Sequence, residues 1–254
     1  LAPLVFALVL ATVIAHGFTI GPLARWLGLT VPADTELILG GSPWTTDLAR
    51  MLHKQMALPV LLVDNSWHRL REARLDGIPV LYGEVLSEGV QQSLELSGVR
   101  CMLAATSNDA YNALSCRHLA AELGRERVYQ LSMYGLEEGD QRVTTRTLAK
   151  PLTGMAAFAE DAHYEDLWRK QVQGWEFAKT RITDTYGWEH YLADISGRAL
   201  LIGLVRGGRH FLPHSPLAPV KPKADDVVIS YVPPEDARSS QSPSQPKLEA
   251  ISDA

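Results

Sequence analysis

The 254 residues carry 24 Lys and Arg against 29 Asp and Glu, a formal net charge of -5. That balance argues against a general nucleic-acid binder, which presents a basic surface. Two cysteines, Cys101 and Cys116, are too few for a disulfide framework or a four-thiolate metal site, and the length suits one large or two small domains.

The chain opens with "LAPLVFALVLATVIAHGFTIGPLA", Leu1 to Ala24, which has no formal charge and only His16 as a titratable side chain. Roughly 20 apolar residues cross a bilayer as a helix. A secretory signal would place basic residues before the apolar run and a small-residue cleavage site after it. Here Arg25 and Trp26 follow the run, a pair that suits a membrane–water interface with the positive side cytoplasmic. Residues 1–29 are therefore read as a transmembrane helix in the inner or plasma membrane, with the lipid bilayer as partner and residues after about 25 cytoplasmic. A core helix of a water-soluble protein is the alternative. Because the first residue is Leu1 and not Met, the chain is expected to be part of a longer protein.

Beyond Leu29 short apolar runs alternate with amphipathic stretches. Strands are expected at Thr35–Gly40, Pro59–Asp64, Ile78–Gly83, Arg100–Thr106 and Arg127–Met133. Helices are expected over about Pro43–Gln55, Ser66–Asp76, Ser87–Ser97 and Asp109–Leu123. Such alternation implies βαβ units and a parallel sheet, and strands without polar alternation imply a sheet covered on both faces. Residues 35–134 thus form a Rossmann-like α/β domain with helices on both faces. Residues 135–172 read as a connector holding a helix near Tyr164–Gln171. Residues 173–234 read as a small strand-rich subdomain without intervening helices. In it "ALLIGLVRGGRHFLP" makes a hairpin around a two-residue Gly207–Gly208 turn, and Asp225–Val232 is a further strand. The Ser-, Pro- and Gln-rich residues 235–254 are expected to be disordered.

The turn after the first strand reads "GGSPWT", Gly40 to Thr45. A dinucleotide fingerprint wants G-x-G-x-x-G there, so that backbone approaches pyrophosphate at a helix N-terminus. Ser42 and Thr45 stand in the second and third glycine slots. The Ser42 Cβ narrows the space while its hydroxyl can cap the helix or donate to phosphate, and Pro43 is favourable at the first helical position. Trp44 is large enough to cover or fill the site. Asp64 ends the second strand about 20 residues on, where an acid reads the ribose hydroxyls. A ligand cradle and an empty, well-capped helix start both fit this turn. His210 and His214 have the i, i+4 spacing of metal ligands on a helix, but Pro213 between them opposes a helix, and no metal is expected.

The run "VDNSWHRLREARLDGIPVLYGEV" followed by "SGVRCMLAATSNDAYNALSCRHLAAELG" resembles the N-terminal RCK, or Trk-type NAD-binding, domain that regulates potassium and cation transporters. The resemblance spans about Glu36 to Met133. It implies a pocket with Asp64 on the adenosine ribose, Glu84 near the adenine side and Thr106 lining it, beside the Gly40–Gly41–Ser42 turn. "AHGFTIGPLARWLGL" is similar to the end of the last transmembrane helix of NhaP-like cation:proton antiporters, and residues 175–232 weakly resemble the small C-terminal RCK subdomain.

These likenesses imply the cytoplasmic regulatory part of a monovalent cation:proton antiporter, attached to an upstream membrane domain and paired into a homodimer. The ligand would be NAD(H) or another adenine nucleotide acting as regulator and not as reactant, or none if the altered glycines have closed the site. No enzyme activity is implied. A regulator of a potassium channel or uptake system is the first alternative, and a soluble NAD(P)-dependent oxidoreductase the second.

Overall fold

The computed structural model describes residues 2–26, 34–94, 96–133, 153–195 and 197–234. The expected tail at 235–254 lies outside them, as do residues 27–33 and residues 135–152 of the expected connector.

Helix α1 spans Ala2–Trp26, and its apolar window Pro3–Ile20 is long enough to cross a membrane, with none of it buried. His16 Nδ1 lies 2.7 Å from the Thr12 carbonyl, so its ring is satisfied within the helix.

The next elements are β1 (Thr35–Leu39), α2 (Pro43–Arg50), β2 (Val60–Asp64), α3 (Trp67–Leu75), β3 (Val80–Tyr82), α4 (Glu88–Ser93), β4 (Val99–Ala104), α5 (Asp109–Leu123) and β5 (Val128–Gln130). A single π-helical turn, Met51–Gln55, extends α2. With β6 (Met155–Ala156), the strands form a six-stranded parallel sheet in the order β3-β2-β1-β4-β5-β6. This is the Rossmann order, with its switch point between β1 and β4. The sixth strand, β6, pairs with Tyr129 and Gln130. It comes from the segment expected to be a connector; two residues are too short a run to stand out by periodicity.

Every residue of β1 is buried, because both faces of the sheet are covered. Leu37 and Leu39 point into a core with Val63, Met102 and the α5 residues Cys116 and Leu119. Ile38 points the other way, toward Leu48 and Leu52 after it, Leu62 and Leu70. That second core continues into a separate four-stranded antiparallel sheet.

After α6 (Tyr164–Val172), the antiparallel sheet is built from β7 (Glu176–Arg181), β8 (Leu200–Arg206), β9 (His210–Pro213) and β10 (Val227–Val232), in the order β7-β10-β8-β9. A helix, α7 (Trp188–Ile195), interrupts the strands where none was expected, and buries Tyr191 beneath the sheet's far face. The β8–β9 hairpin forms as expected, but Arg206 pairs with His210, so the loop has three residues, Gly207 to Arg209. Both glycines take positive φ, 59° and 64°, and the Arg209 amide donates back to the Arg206 carbonyl. His210 and His214 accordingly sit on strand β9 and just after it, not on a helix.

The two sheets meet at aromatic side chains. Trp44 of α2 is buried against Phe158, Phe177 and Tyr231, with ring centroids 5.7, 5.8 and 6.3 Å away. Tyr231 Oη donates to Gln171 Oε1 at 2.7 Å, and the Gln171 amide in turn donates to Asp47 on α2.

Glu36, at the head of β1, is 2% exposed. It faces its register partner Cys101, whose thiol donates to Glu36 Oε2 at 2.8 Å, while Oε1 has no partner. Burial pushes this carboxyl up to about 7, opposed by the Cys101 bond, the charge of Arg100 and the Phe211 backbone of β9. The protonated form is the one the fold prefers. Stability from this group is therefore complete below the ordinary carboxyl value of 4.5 and declines as pH rises to about 7. At about 1.4 kcal/mol per unit, the decline is about 3 kcal/mol. Glu36→Gln should abolish it, leaving the variant more stable than the parent above pH 7 relative to its value at pH 4.5. Urea denaturation followed across that range checks this, and parallel pH profiles would refute it.

Candidate functional site

The carboxyl ends of β1, β2, β3 and β4 converge at the switch point, where ligands of open α/β sheets bind. The chain leaves β1 through Gly40 at φ 102°, and a Cβ there would lie 2.7 Å from the Ala105 carbonyl oxygen. Only glycine passes so close to the end of β4. Gly41 lies under α3, where an added Cβ would meet Arg69 Cβ at 3.1 Å.

Ser42 caps α2: its Oγ accepts from the Thr45 amide at 3.2 Å. Thr45 Oγ1 lies 2.5 Å from the Gly40 carbonyl and 2.9 Å from that of Ser42. The hydroxyl in the third glycine slot thus bolts the turn to its own helix, and Thr45 is fully buried. Trp44 neither covers nor fills the crevice; it points away into the aromatic junction between the sheets.

Asp64 closes the other side of the turn. Its Oδ2 accepts from the Gly41 amide and its Oδ1 from the Ser66 amide, both at 2.8 Å, and Arg69 Nη1 stands 3.5 Å from Oδ2. The side chain is 2% exposed. The acid expected to read a ribose is thus already holding two backbone donors. Glu84 follows Gly83 (φ 141°) and is exposed, accepting from Asn65 Nδ2 at 3.2 Å.

Across the crevice, Thr106 Oγ1 donates to the buried Asn112 Oδ1 at 2.6 Å, and Asn112 Nδ2 donates to the Thr106 carbonyl. Asn108 caps α5 by accepting from the Tyr111 amide. Tyr111 Oη accepts from the Val85 amide at 3.0 Å, and burial raises its phenol.

Between these elements opens a cavity of about 160 Å³. Gly40, Asp64, Glu84 and Thr106 of the expected set line it, whereas Gly41 and Ser42 do not. Asn65, Arg69, Ser107, Asn108 and Tyr111 are further polar lining residues and were not picked out from the sequence. The "SNDAYN" run that opens α5 was the signal for Ser107, Asn108 and Tyr111: a capping asparagine and one helical turn place them at the strand end.

Residues 37–131 match the family model of the TrkA-N domain. The match covers the Rossmann-like lobe from the second residue past β1's start to just after β5. No curated protein matches the chain. Solved structures similar to it include the TrkA-N domain of the inner membrane protein ybaL from Escherichia coli, at 16% identity over 41% of this chain and 77% of that one, TM-score 0.38. The NAD(P)-binding domain of an exopolyphosphatase-related protein from Archaeoglobus fulgidus is 17% identical over 55% of this chain and 97% of that one, TM-score 0.38. The GsuK channel bound to NAD is 15% identical over 88% of this chain, which spans 44% of that one, TM-score 0.36.

Removing the Asp64 carboxylate strands the buried Gly41 amide and the half-buried Ser66 amide of the TrkA-N-like lobe. Asp64→Ala should therefore cost about 2–4 kcal/mol in urea denaturation before any ligand is added, since each bond to a charged acceptor is worth about 1.5–3 kcal/mol. Asp64→Asn keeps an acceptor and should recover part of that loss. Stability unchanged in both variants would show that Asp64 does not hold the turn.

Proposed function

We propose that this chain is the regulatory region of a monovalent cation:proton antiporter, with α1 seated in the bilayer and the TrkA-N-like lobe sensing an adenine nucleotide on the cytoplasmic side. The observation that carries the reading is the polar cavity at the β1/β4 switch point, lined by Asp64, Glu84 and Thr106, on the same chain as a 25-residue apolar helix with no buried window. The family match over 37–131 supports the lobe's assignment, and the likeness of Ala15–Leu29 to an antiporter's last transmembrane helix supports the context.

No covalent chemistry is assigned to the site. The ligand acts by binding one arrangement of a pair of lobes more tightly than another, the only way a bound molecule shifts an equilibrium. The pair is formed with a second copy of the chain, and the ion-carrying carboxylates belong to a membrane domain upstream.

The full chain in lipid nanodiscs tests both halves. Membranes carrying it should retain it through alkaline carbonate extraction. Millimolar NAD+, NADH, AMP or ATP should raise its melting temperature, because a ligand of the native state stabilises it in proportion to ln(1 + [L]/Kd). Release by carbonate would remove the membrane assignment, and no shift with any of the four would remove the sensor assignment. A selectivity-filter sequence upstream of residue 1 would replace the antiporter by a channel.

A further inference from the structure

The cavity and the phosphate turn occupy the same end of the sheet but do not coincide. Of the turn residues 40–45, only Gly40 lines the cavity. The cavity lies instead toward the ends of β2 and β3 and the start of α5, the side where a Rossmann domain holds ribose and base.

Two of the backbone donors that would hold a pyrophosphate are already spent. The Gly41 amide is bound to Asp64 and the Thr45 amide to Ser42 Oγ. Pro43 has no amide hydrogen at all. Ser42 itself is 5% exposed and turned into its cap. Above the turn, α3 presses its Arg69 backbone onto Gly41, within 3.2–3.3 Å of where a Cβ would be.

The charge of the lining points the same way. Two carboxylates, Asp64 and Glu84, face one guanidinium, Arg69, which is already beside Asp64. A phosphate brought here meets a net negative wall, whereas ribose hydroxyls are donors that suit carboxylates.

We infer that the crevice recognises an adenosine-type nucleoside through the Glu84 side of the cavity and gains nothing from attached phosphates, so that it is not a dinucleotide site. The inference rests on the nucleotide-sensing reading above and narrows it. Glu84 is the residue that contacts the ligand, being exposed at the cavity where Asp64 is already satisfied.

Calorimetry on the full chain in nanodiscs, with adenosine, AMP and NAD+ titrated separately, decides the matter. The three should bind within about threefold of one another, with little dependence on salt, since no counterion-screened phosphate contact is made. Glu84→Ala, an exposed substitution, should weaken adenosine by at least about fivefold. AMP or NAD+ binding about tenfold or more tightly than adenosine would overturn the inference while leaving the sensor reading intact. Unchanged adenosine affinity in Glu84→Ala would also overturn it. Binding of none of the three would instead remove the sensor reading itself.

Discussion

The bond from the Gly41 amide to Asp64 sets the character of this molecule. It joins the turn after β1 to the end of β2 across the mouth of the sheet. With the second Asp64 oxygen on Ser66, the same carboxylate fixes the start of α3. A carboxylate that accepts two backbone donors is held in place by bonds about twice as strong as neutral ones. The glycine turn is therefore a structural joint as much as a ligand cradle. The changes from the fingerprint agree with that role: Thr45 bonds the Gly40 carbonyl, Ser42 caps α2, and Pro43 fixes the first helical φ. Glycines at these positions would leave donors free for a ligand; the residues present spend them on the protein.

Much of the parallel sheet was legible in the chain because its strands are buried on both faces and read as unbroken apolar runs. Helix α5 was legible to the residue, since Asn108 caps it and Gly124 ends it at φ 92°. The features that escaped have specific causes. Strand β6 is two residues long and earns its place through pairing with β5, a tertiary fact. Helix α7 was hidden because "WEHYLADI" lies among strand signals and few turns mark it off. In the site, Asp64 followed from its strand end and spacing, whereas Glu84 and Thr106 came only from the family resemblance. That Trp44 points away from the crevice did not, because direction around α2 depends on the second sheet, whose docking no local pattern announces.

That docking gives α2 two jobs. Its N-terminal turn borders the crevice, and one turn further its buried face holds the antiparallel sheet through Trp44 and the Asp47–Gln171–Tyr231 chain. Its outer end is fixed to α3 by Arg50, which pairs with Asp47, Glu72 and Asp76. The hydrogen bonds of Arg50 and Lys54 hold the Asp76 carboxyl below its ordinary range. A helix pinned at both ends to packed elements moves as a body, because close-packed interiors transmit displacement instead of absorbing it.

The consequence concerns which ligand contact can matter. A molecule seated on the β2–β3 side of the cavity touches Glu84 and α5 but leaves the α2 turn where Asp64 holds it. What links that side of the cavity to the α2 turn is the pair of bonds made by Asp64. Any loosening of the Gly41–Asp64 bond would be felt at Trp44, three residues along the same rigid turn and helix. The polar joint at the crevice and the aromatic joint at the second sheet are thus connected through one turn and the first residues of α2.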